Sequence, residues 1–370
     1  KRHADGGIVD PRLLDHYTRE LQFVREMGVE FAREYPKIAR RLGMPDDASE
    51  VADPYVERLL EGFAFMSARL QLQMQSEFPR FTQGLLEIVY PNFLAPMPSM
   101  LVAQIEPDLG EGALADGFVL PRGTNLRSVL GKGEQTSCEY RTSHDVTLWP
   151  LEIVEAEYVA NLSAIGNADF VKQKDLKAAI RIRLRTTAGL TFDKLPMESL
   201  SIFLRGRDEL PMKIYEQIIA NGVSIVVRPA KRESSWHEVI DKSHIRQQGF
   251  EEDEALLPNG PRSFSGYRLL QEYFAFPERF MFFELDGLGP AIRRCKDTEL
   301  DIIVMLNRSD PTLENTVTAA DFALYCAPAI NLFPKRADGL HLADKVAEHH
   351  VFPDRPPPLD LGLENVSSVE

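Results

Sequence analysis

Two narrow rows of apolar side chains within the first 90 residues constrain the fold more than any other feature of this chain. The first row follows Asp10-Pro11 and the second follows Asp53-Pro54, and in each pair the aspartate can cap a helix that begins at the proline. Apolar positions then recur every three or four residues, which is the period of helices that pack along a shared seam. We therefore predict two helices whose partner-contacting seams contain Leu14, Tyr17, Leu21, Val24, Gly28, Phe31 and Tyr35, and Val56, Leu60, Phe63, Leu70 and Met74.

Proline and glycine suggest where these helices stop. Pro79 is expected to separate the second helix from a shorter third helix that runs to about Tyr90, because proline lacks an N–H and clashes with the preceding turn. Gly28 interrupts the first row, although glycine inside a helix costs about 1 kcal/mol relative to alanine. Either another helix approaches closely at Gly28, or one helix ends there and the next begins at Val29. The rows alone fit a self-contained hairpin as well as a bundle with other chains.

From Met100 onward the apolar period changes to two, which is typical of strands. Ile180, Ile182 and Leu184 alternate with arginines, which predicts a half-buried strand with a cationic outer face. Further strands are expected at 200–205, 223–228, 280–285 and 300–306, and a short helix near 210–220. The predicted fold class is α+β, with an N-terminal helical bundle segment followed by strand-rich domains with mixed or antiparallel sheets.

Turn-rich and charged segments suggest the domain boundaries. We predict a helical segment with a proline-rich exit at 1–98, a first strand-rich domain at 99–255, and a second one with a connector at 256–370. The boundary near 255 is placed by the acidic and proline-containing run EEDEALLPNGP at 251–261. The sequence PDRPPP at 353–358 predicts an extended, polyproline-like connector.

Composition limits the partners and the compartment. The formal net charge of −14 opposes binding to nucleic acid and to anionic lipid, so neither is an expected partner. Three widely spaced cysteines without a CxxC motif favour a reducing compartment. No stretch approaches the roughly 18 apolar residues of a membrane span, so direct membrane insertion is not expected. The prediction is a cytoplasmic protein.

The chain has no recognisable catalytic motif. Gly131-Lys132 lacks the upstream glycine of a phosphate-binding loop because position 126 is leucine. His349 and His350 are adjacent, and neighbours in regular structure point apart, so they cannot chelate one ion there. We therefore predict no catalytic residues, no cofactor and no metal. An enzyme whose carboxylates come together only in three dimensions stays an alternative, and the aromatic cluster at 274–283 fits either a core or an interface.

Five long blocks in constant order resemble one known family. They are the segment at 57–100 that begins ERLLEGFAFMSARL, FVLPRGTNL at 118–126, CEYRTSHDVTLWPL at 138–151, SFSGYRLLQEYFAFPERFMFFEL at 263–285 and NLFPKRA at 331–337. Together these blocks resemble the TssF family (also called ImpG or VasA), a baseplate wedge component of the bacterial type VI secretion system. The resemblance extends over most of the chain.

This resemblance implies a structural role in an assembly. Two TssF copies and one TssG would form a wedge, with the helical segment bundling against the second copy and TssG. TssK would tether a ring of wedges to the inner-membrane complex, and spike and sheath components would be further partners. A C-terminal domain beyond residue 370 is expected from the same resemblance. The alternative within this architecture is a wedge protein of a phage or another contractile injection machine.

Overall fold

The protein divides into two compact units, Lys1–Leu94 and Ala95–Glu370. The structure is a computed structural model that describes residues 10–44, 53–108, 112–131, 137–165, 175–187, 189–206, 209–231, 236–258, 260 and 263–337. The predicted connector at 353–358 and the pair His349-His350 lie outside the described residues. The predicted α+β class is confirmed, since helices precede a strand-rich body.

The first unit is helical. Its described helices are α1 (Pro11–Glu34), α2 (Pro36–Arg41) and α3 (Pro54–Val89). The Asp10 carboxylate accepts a hydrogen bond from the Arg12 backbone N–H at 3.0 Å, and Asp53 accepts one from the Tyr55 N–H at 2.9 Å. Both predicted caps are confirmed, because each satisfies an N–H that has no partner within its helix.

Two sequence-based expectations about helix breaks differ from the structure. Pro79 lies inside α3, which continues without interruption for 36 residues, so the predicted third helix is wrong. Pro79 removes only one backbone hydrogen bond and the neighbouring turns keep theirs, so the helix continues through the proline. The Thr82 hydroxyl also donates to the Pro79 carbonyl at 2.9 Å. At Gly28, α1 continues to Glu34, so the interpretation that a helix ends at this glycine is also wrong.

In its described residues the second unit contains the strands and three further α-helices. The helices are α4 (Leu210–Asn221), α5 (Ser265–Ala275) and α6 (Gly289–Arg294). The strands are β1 (Met100–Gln104), β2 (Phe118–Leu120), β3 (Asn125–Arg127), β4 (Glu139–Thr142), β5 (Val146–Leu148), β6 (Leu151–Val159), β7 (Ala178–Thr186), β8 (Leu200–Leu204), β9 (Gly222–Pro229), β10 (Glu238–Asp241), β11 (Ile245–Gln247), β12 (Phe282–Leu285), β13 (Glu299–Leu306), β14 (Phe322–Ala323) and β15 (Cys326–Ile330).

Antiparallel pairing links these strands into four sheets. The largest has the order β10-β9-β13-β7-β6, and two four-stranded sheets have the orders β11-β12-β8-β14 and β1-β15-β4-β3, with β2-β5 as a separate pair. One face of the five-stranded sheet shares a core with β8, β12, α4 and α6. Ile182 and Ile302 are direct register partners in this core, and both are fully buried.

The sheets combine strands that are distant in the sequence. In the five-stranded sheet β13 lies between β9 and β7, and in the second sheet β12 lies between β11 and β8. Strands from before and after residue 255 pair in the same sheets, so the boundary that we predicted there does not separate independent layers. A division of the strand-rich part at this position stays a prediction without support from strand pairing.

The predicted cationic face of β7 is neutralised by neighbouring strands. Arg183 donates from Nε to Oδ1 of Asp301 at 2.7 Å, and Arg181 donates to Glu155 at 2.9 Å. Arg185 lies 2.8 Å from Glu299. The strand period shows that these arginines share one face, but it gives no information about the acidic residues on β6 and β13 that pair with them.

Candidate functional site

The helical unit is the candidate assembly surface, and it is built on the pairing of α1 with α3. Small residues are buried in both helices, Ala32 in α1 and Ala64 and Ala68 in α3. Small side chains let two helix backbones approach closely. The imidazole of His16 and the side-chain amide of Gln75 are hydrogen-bonded at 2.9 Å, and Arg25 lies 2.5 Å from Glu57. The two helices therefore run antiparallel, as a hairpin.

The twelve predicted seam residues divide between two environments. Seven are half-buried, namely Tyr17, Leu21, Val24, Gly28, Phe31, Val56 and Leu60. Five are exposed, namely Leu14, Tyr35, Phe63, Leu70 and Met74. The period of three and four residues does not distinguish the side of a helix that packs within its own chain from the side that stays exposed. On α3 the predicted row mixes these two sides.

An exposed apolar row extends along the whole of α3, and the sequence interpretation recovered only part of it. Phe63, Leu70 and Met74 belong to it. Its members are between 53% and 83% exposed: Tyr55, Leu59, Phe63, Met66, Leu70, Met74, Phe78, Phe81, Leu85 and Ile88. We call this set the α3 outer row. The three- and four-residue spacing continues past Pro79. The predicted helix break at this proline had divided one continuous row into two parts.

The spacing of the α3 outer row keeps it on one side of the helix. From Tyr55 to Ile88 the row advances 33 residues in nine steps, or about 3.7 residues per step, close to the 3.6 residues per turn of a straight α-helix. At a rise of about 1.5 Å per residue the row is roughly 50 Å long. Isolated apolar residues are normal on a protein surface, but a contiguous row of this length is typical of an interaction site.

Gly28 is close to a side chain of its own unit. A Cβ atom added at Gly28 would lie 3.0 Å from Cε of Met44. The described neighbour is the end of a flexible methionine side chain and not another helix, so the predicted close approach of a helix at Gly28 stays a prediction. This contact limits the space for a side chain at position 28 within the helical unit itself.

Among the described residues of the second unit two carboxylates are fully buried, and both are held by arginines. Asp301 lies within 4 Å of Arg181, Arg183 and Arg228. Glu272 on α5 contacts two arginines and accepts hydrogen bonds from two backbone N–H groups. These arrangements hold charge in place and do not form a pair of neighbouring carboxylates of the kind used in acid–base catalysis.

The residues that the structure describes form neither a metal-binding cluster nor a helix that could cross a membrane. Within the described ranges, no group of three or more His, Cys, Asp or Glu side chains is arranged to hold a metal ion. Among the helices that the structure describes, none is long and apolar enough to cross a membrane.

The aromatic cluster at 274–283 contributes both to the core and to the surface. Phe280, Phe282 and Phe283 are buried, whereas Phe274 is 80% exposed. Phe282 packs against Phe203 with ring centroids 4.7 Å apart. The two interpretations of this cluster therefore apply to different members of it.

Comparison with known proteins identifies the family. The family model described as "Type VI secretion system, TssF" matches residues 9–370. The chain is 50% identical over 361 residues to the type VI secretion system component TssF1 of Pseudomonas aeruginosa, an alignment that covers 98% of this chain and 58% of that protein. The chain thus spans somewhat more than half the length of this relative.

A solved structure shows the same fold. It is a chain of the type VI secretion system TssK-TssF-TssG baseplate subcomplex determined by cryo-electron microscopy, with a TM-score of 0.59 and 27% sequence identity. The match covers 78% of this chain and 51% of the solved one. The family model, the relative and the solved structure agree, and the protein described here belongs to the TssF family of the type VI secretion system.

Proposed function

We propose that this chain is a structural subunit of the type VI secretion baseplate wedge and assembles with TssG and a second copy of the same protein. The solved neighbour is part of a TssK-TssF-TssG baseplate subcomplex, which supports TssG and TssK as partners. Family membership favours the type VI system over a phage tail or another contractile machine. The proposed role is organisational rather than catalytic.

The α3 outer row is the observation on which this proposal rests. Ten apolar side chains lie exposed along one side of α3, whereas alanines are buried on another side of it. Burying apolar surface contributes about 25 cal/mol per Å², so covering such a row with partner helices would stabilise a complex strongly. We infer that helices of TssG and of the second copy cover it, and that the half-buried residues of α1 hold the hairpin that presents it.

The wider assembly follows from this placement of the chain in a wedge. In the proposed arrangement a ring of wedges surrounds the spike, supports sheath and tube assembly, and connects through TssK to the inner-membrane complex. The chain itself would be cytoplasmic. The net charge of −14 agrees with protein partners rather than with nucleic acid or an anionic membrane.

Substitution in the α3 outer row tests the proposal. Leu70→Asp places a charge in the proposed contact but on a side chain that is exposed within this chain, so the isolated protein should keep its melting temperature. Co-expression with TssG followed by native mass spectrometry should show the wedge complex lost. Gln83→Asp introduces the same residue at an exposed position on another side of the same helix, and it should assemble normally. Wild-type assembly by Leu70→Asp would refute the proposed interface.

Leu21→Asp tests the side of α1 that packs within the hairpin, in contrast to Leu70→Asp on the exposed side of α3. Leu21 is half-buried, so a carboxylate there should destabilise the helical unit itself as well as prevent assembly. The strand-rich unit should stay folded. Proteolysis confined to residues before Leu94 is the expected result, and loss of the whole structure would contradict it.

A further inference from the structure

His144 places an ionisable ring against the core of the second unit, in the short turn between β4 and β5. Its imidazole meets the ring of Phe282 edge to face, with centroids 5.5 Å apart, and Phe282 is buried. The Nε2 atom of His144 is buried and has no hydrogen-bond partner among the described residues. A buried ring nitrogen without a partner needs an explanation, because buried polar atoms are usually hydrogen-bonded.

The hydrogen bonds of His144 show which of its two nitrogens carries the proton. The imidazole is hydrogen-bonded to the backbone of Cys326 on β15, and this bond favours the protonated ring. The backbone group is therefore the carbonyl oxygen, which accepts. Since Nε2 has no partner, Nδ1 is the donor, and in the neutral ring Nε2 carries no proton.

Three charged groups act on the imidazole from the elements packed around it. Arg279 in the turn before β12 opposes a second proton on the ring, whereas Glu254 and Asp145 favour one. Burial has a larger effect than any of these charges, and it lowers the pKa of His144 from its ordinary value of 6.5. The neutral ring is thus the form that fits this position.

Both carboxylates near the ring already accept hydrogen bonds from other groups. Asp145 Oδ1 accepts from the backbone N–H of Arg122 at 2.6 Å, and Glu254 Oε2 accepts from the backbone N–H of Gly249 at 2.6 Å. Neither bonds Nε2 of His144. A second proton on the ring would therefore create a buried N–H group without an acceptor, which destabilises the enclosed position.

The turn that carries His144 connects two neighbouring segments to β15. The Ser143 backbone N–H donates to the Pro328 carbonyl at 2.9 Å. Arg122, whose backbone N–H donates to this turn, also donates from Nη2 to the Ala255 carbonyl at 3.2 Å. The PRGT turn at 121–124 and the acidic loop at 251–255 are therefore both linked to β15 through residues 143–145.

We propose that His144 is a pH-sensitive switch within the second unit. When the imidazole takes up a second proton, it leaves its position beside Phe282 and moves into solvent. The turn at 143–145 then separates from β15, and the PRGT turn and the acidic loop separate with it. This switch is a property of the chain by itself and does not depend on the proposed wedge function.

The direction of the pH dependence follows from the two positions of the ring. In solvent the imidazole has the ordinary pKa of 6.5, whereas the pKa of the enclosed ring is lower. Above pH 6.5 the ring is neutral in both positions, and the closed form predominates. As the pH falls below 6.5, the open form binds the additional proton, and its population rises by up to about tenfold per pH unit. The rise ends once the pH has passed the lowered pKa of the enclosed ring.

Hydrogen exchange at the imidazole C2 position tests the titration of His144 directly. Mass spectrometry of the full-length protein follows this exchange for each histidine across a series of pH values. We expect His144 to titrate at a lower pH than His237, which is exposed in the same unit. Titration of His144 at or above the ordinary value of 6.5 would refute the proposal.

Amide hydrogen exchange tests the release of the two segments. It is measured in the full-length protein at about pH 7.5 and about pH 5.5, and is corrected for the intrinsic pH dependence of amide exchange. Peptides from 118–128 and 249–257 should exchange up to about tenfold faster at the lower pH. Peptides from the central strand β13 should show no such change, because the proposed opening leaves the five-stranded sheet intact.

Substitution of the histidine separates this switch from other effects of acid. His144→Asn keeps a donor near the position of Nδ1 but cannot titrate, so the faster exchange at low pH should be absent. His237→Asn removes the exposed histidine and should keep the full wild-type response. His144→Phe places a ring beside Phe282 and gives the same comparison if the asparagine variant does not fold. An acid response in a folded variant at position 144 equal to that of the wild type would refute the switch.

Discussion

Arg183 and Asp301 are direct register partners on β7 and β13, and the Arg183 Nε donates to the Asp301 carboxylate at 2.7 Å in the centre of the five-stranded sheet. Arg228 on β9 lies 3.6 Å from the same carboxylate, so one buried acidic side chain of β13 contacts both neighbouring strands, β7 and β9. Its contacts hold the central strands in a single register, because a slip of one residue would move the carboxylate to the other face.

Asp301→Ala should therefore be strongly destabilising. Removing one partner from a buried ion pair leaves arginines uncompensated, and the free energy of unfolding should fall by about 3–5 kcal/mol. Denaturant unfolding measures this change. Glu299→Ala is the control, since its pair with Arg185 lies at the surface and should contribute no more than about 1 kcal/mol. Equal effects of the two substitutions would contradict the central role of Asp301.

Substitutions at Gly28 should show how much space Met44 leaves beside α1. Gly28→Ala should change stability little, because the gain in helix propensity of about 1 kcal/mol is offset by the contact with the methionine. Gly28→Leu should lower the free energy of unfolding by about 1–3 kcal/mol through overpacking. Met44→Ala should restore part of that loss, and thermal unfolding of the double variant measures the coupling.

Gly62 is a matched control for this prediction. It lies inside α3, and a Cβ atom added there would meet nothing within 4 Å. Gly62→Ala should therefore gain about 1 kcal/mol from helix propensity alone. A loss of stability at Gly62 would show that the α3 helix has neighbours at this position.

Metal removal should leave the fold unchanged. Within the described ranges no cluster of His, Cys, Asp or Glu side chains has the arrangement of a metal site. Treatment with a chelator should then give the same melting temperature, and elemental analysis should find no stoichiometric metal. A melting temperature that falls with chelator and recovers with one particular metal would overturn this prediction.

The three cysteines should differ in reactivity. Cys138 is exposed, whereas Cys295 and Cys326 are buried. Burial raises the pKa of Cys295 to about 11 and that of Cys326 to about 12, so little thiolate forms at neutral pH. A chromogenic thiol reagent should titrate Cys138 rapidly and the other two only after unfolding. Rapid reaction of Cys295 and Cys326 in the folded Cys138→Ser variant would contradict the burial.

The same shifts predict the alkaline pH dependence of stability. A thiol whose folded pKa is raised above its unfolded value of 9.0 keeps its proton in the folded state while the unfolded chain loses it. Its contribution is fully present below pH 9 and is lost as the pH rises through the folded pKa. The free energy of unfolding should fall between about pH 9 and 11, and Cys295→Ala should reduce that dependence.

Local signals in the sequence predicted the starts of α1 and α3 and the strand β7. The caps at Asp10 and Asp53 and the alternation in β7 depend on neighbouring residues only, and the structure confirms them. The interruption at Pro79 is wrong because the cost of one lost hydrogen bond does not exceed the cooperativity of a 36-residue helix.

Features that depend on distant residues were not predictable. Nothing in the β7 sequence indicates that Glu155 and Asp301 neutralise its arginines, since these residues lie on other strands. Helix α5 was missed for a related reason. Pattern analysis assumes that the buried side of a helix is apolar, whereas α5 buries Arg268 and Glu272 and exposes its aromatic side chains.

The pairing of β1 with β15 has a mechanical consequence. Met100 pairs with Ile330, and the Asn331 backbone N–H donates to the Ser99 carbonyl at 2.8 Å, so the chain enters and leaves this ladder at the same end. A force that separates residues 99 and 331 would break the hydrogen bonds of the ladder one at a time. A force along the strands would instead act on all of these hydrogen bonds together. Under such tension the second unit would open first at this corner, before any load reached the five-stranded sheet.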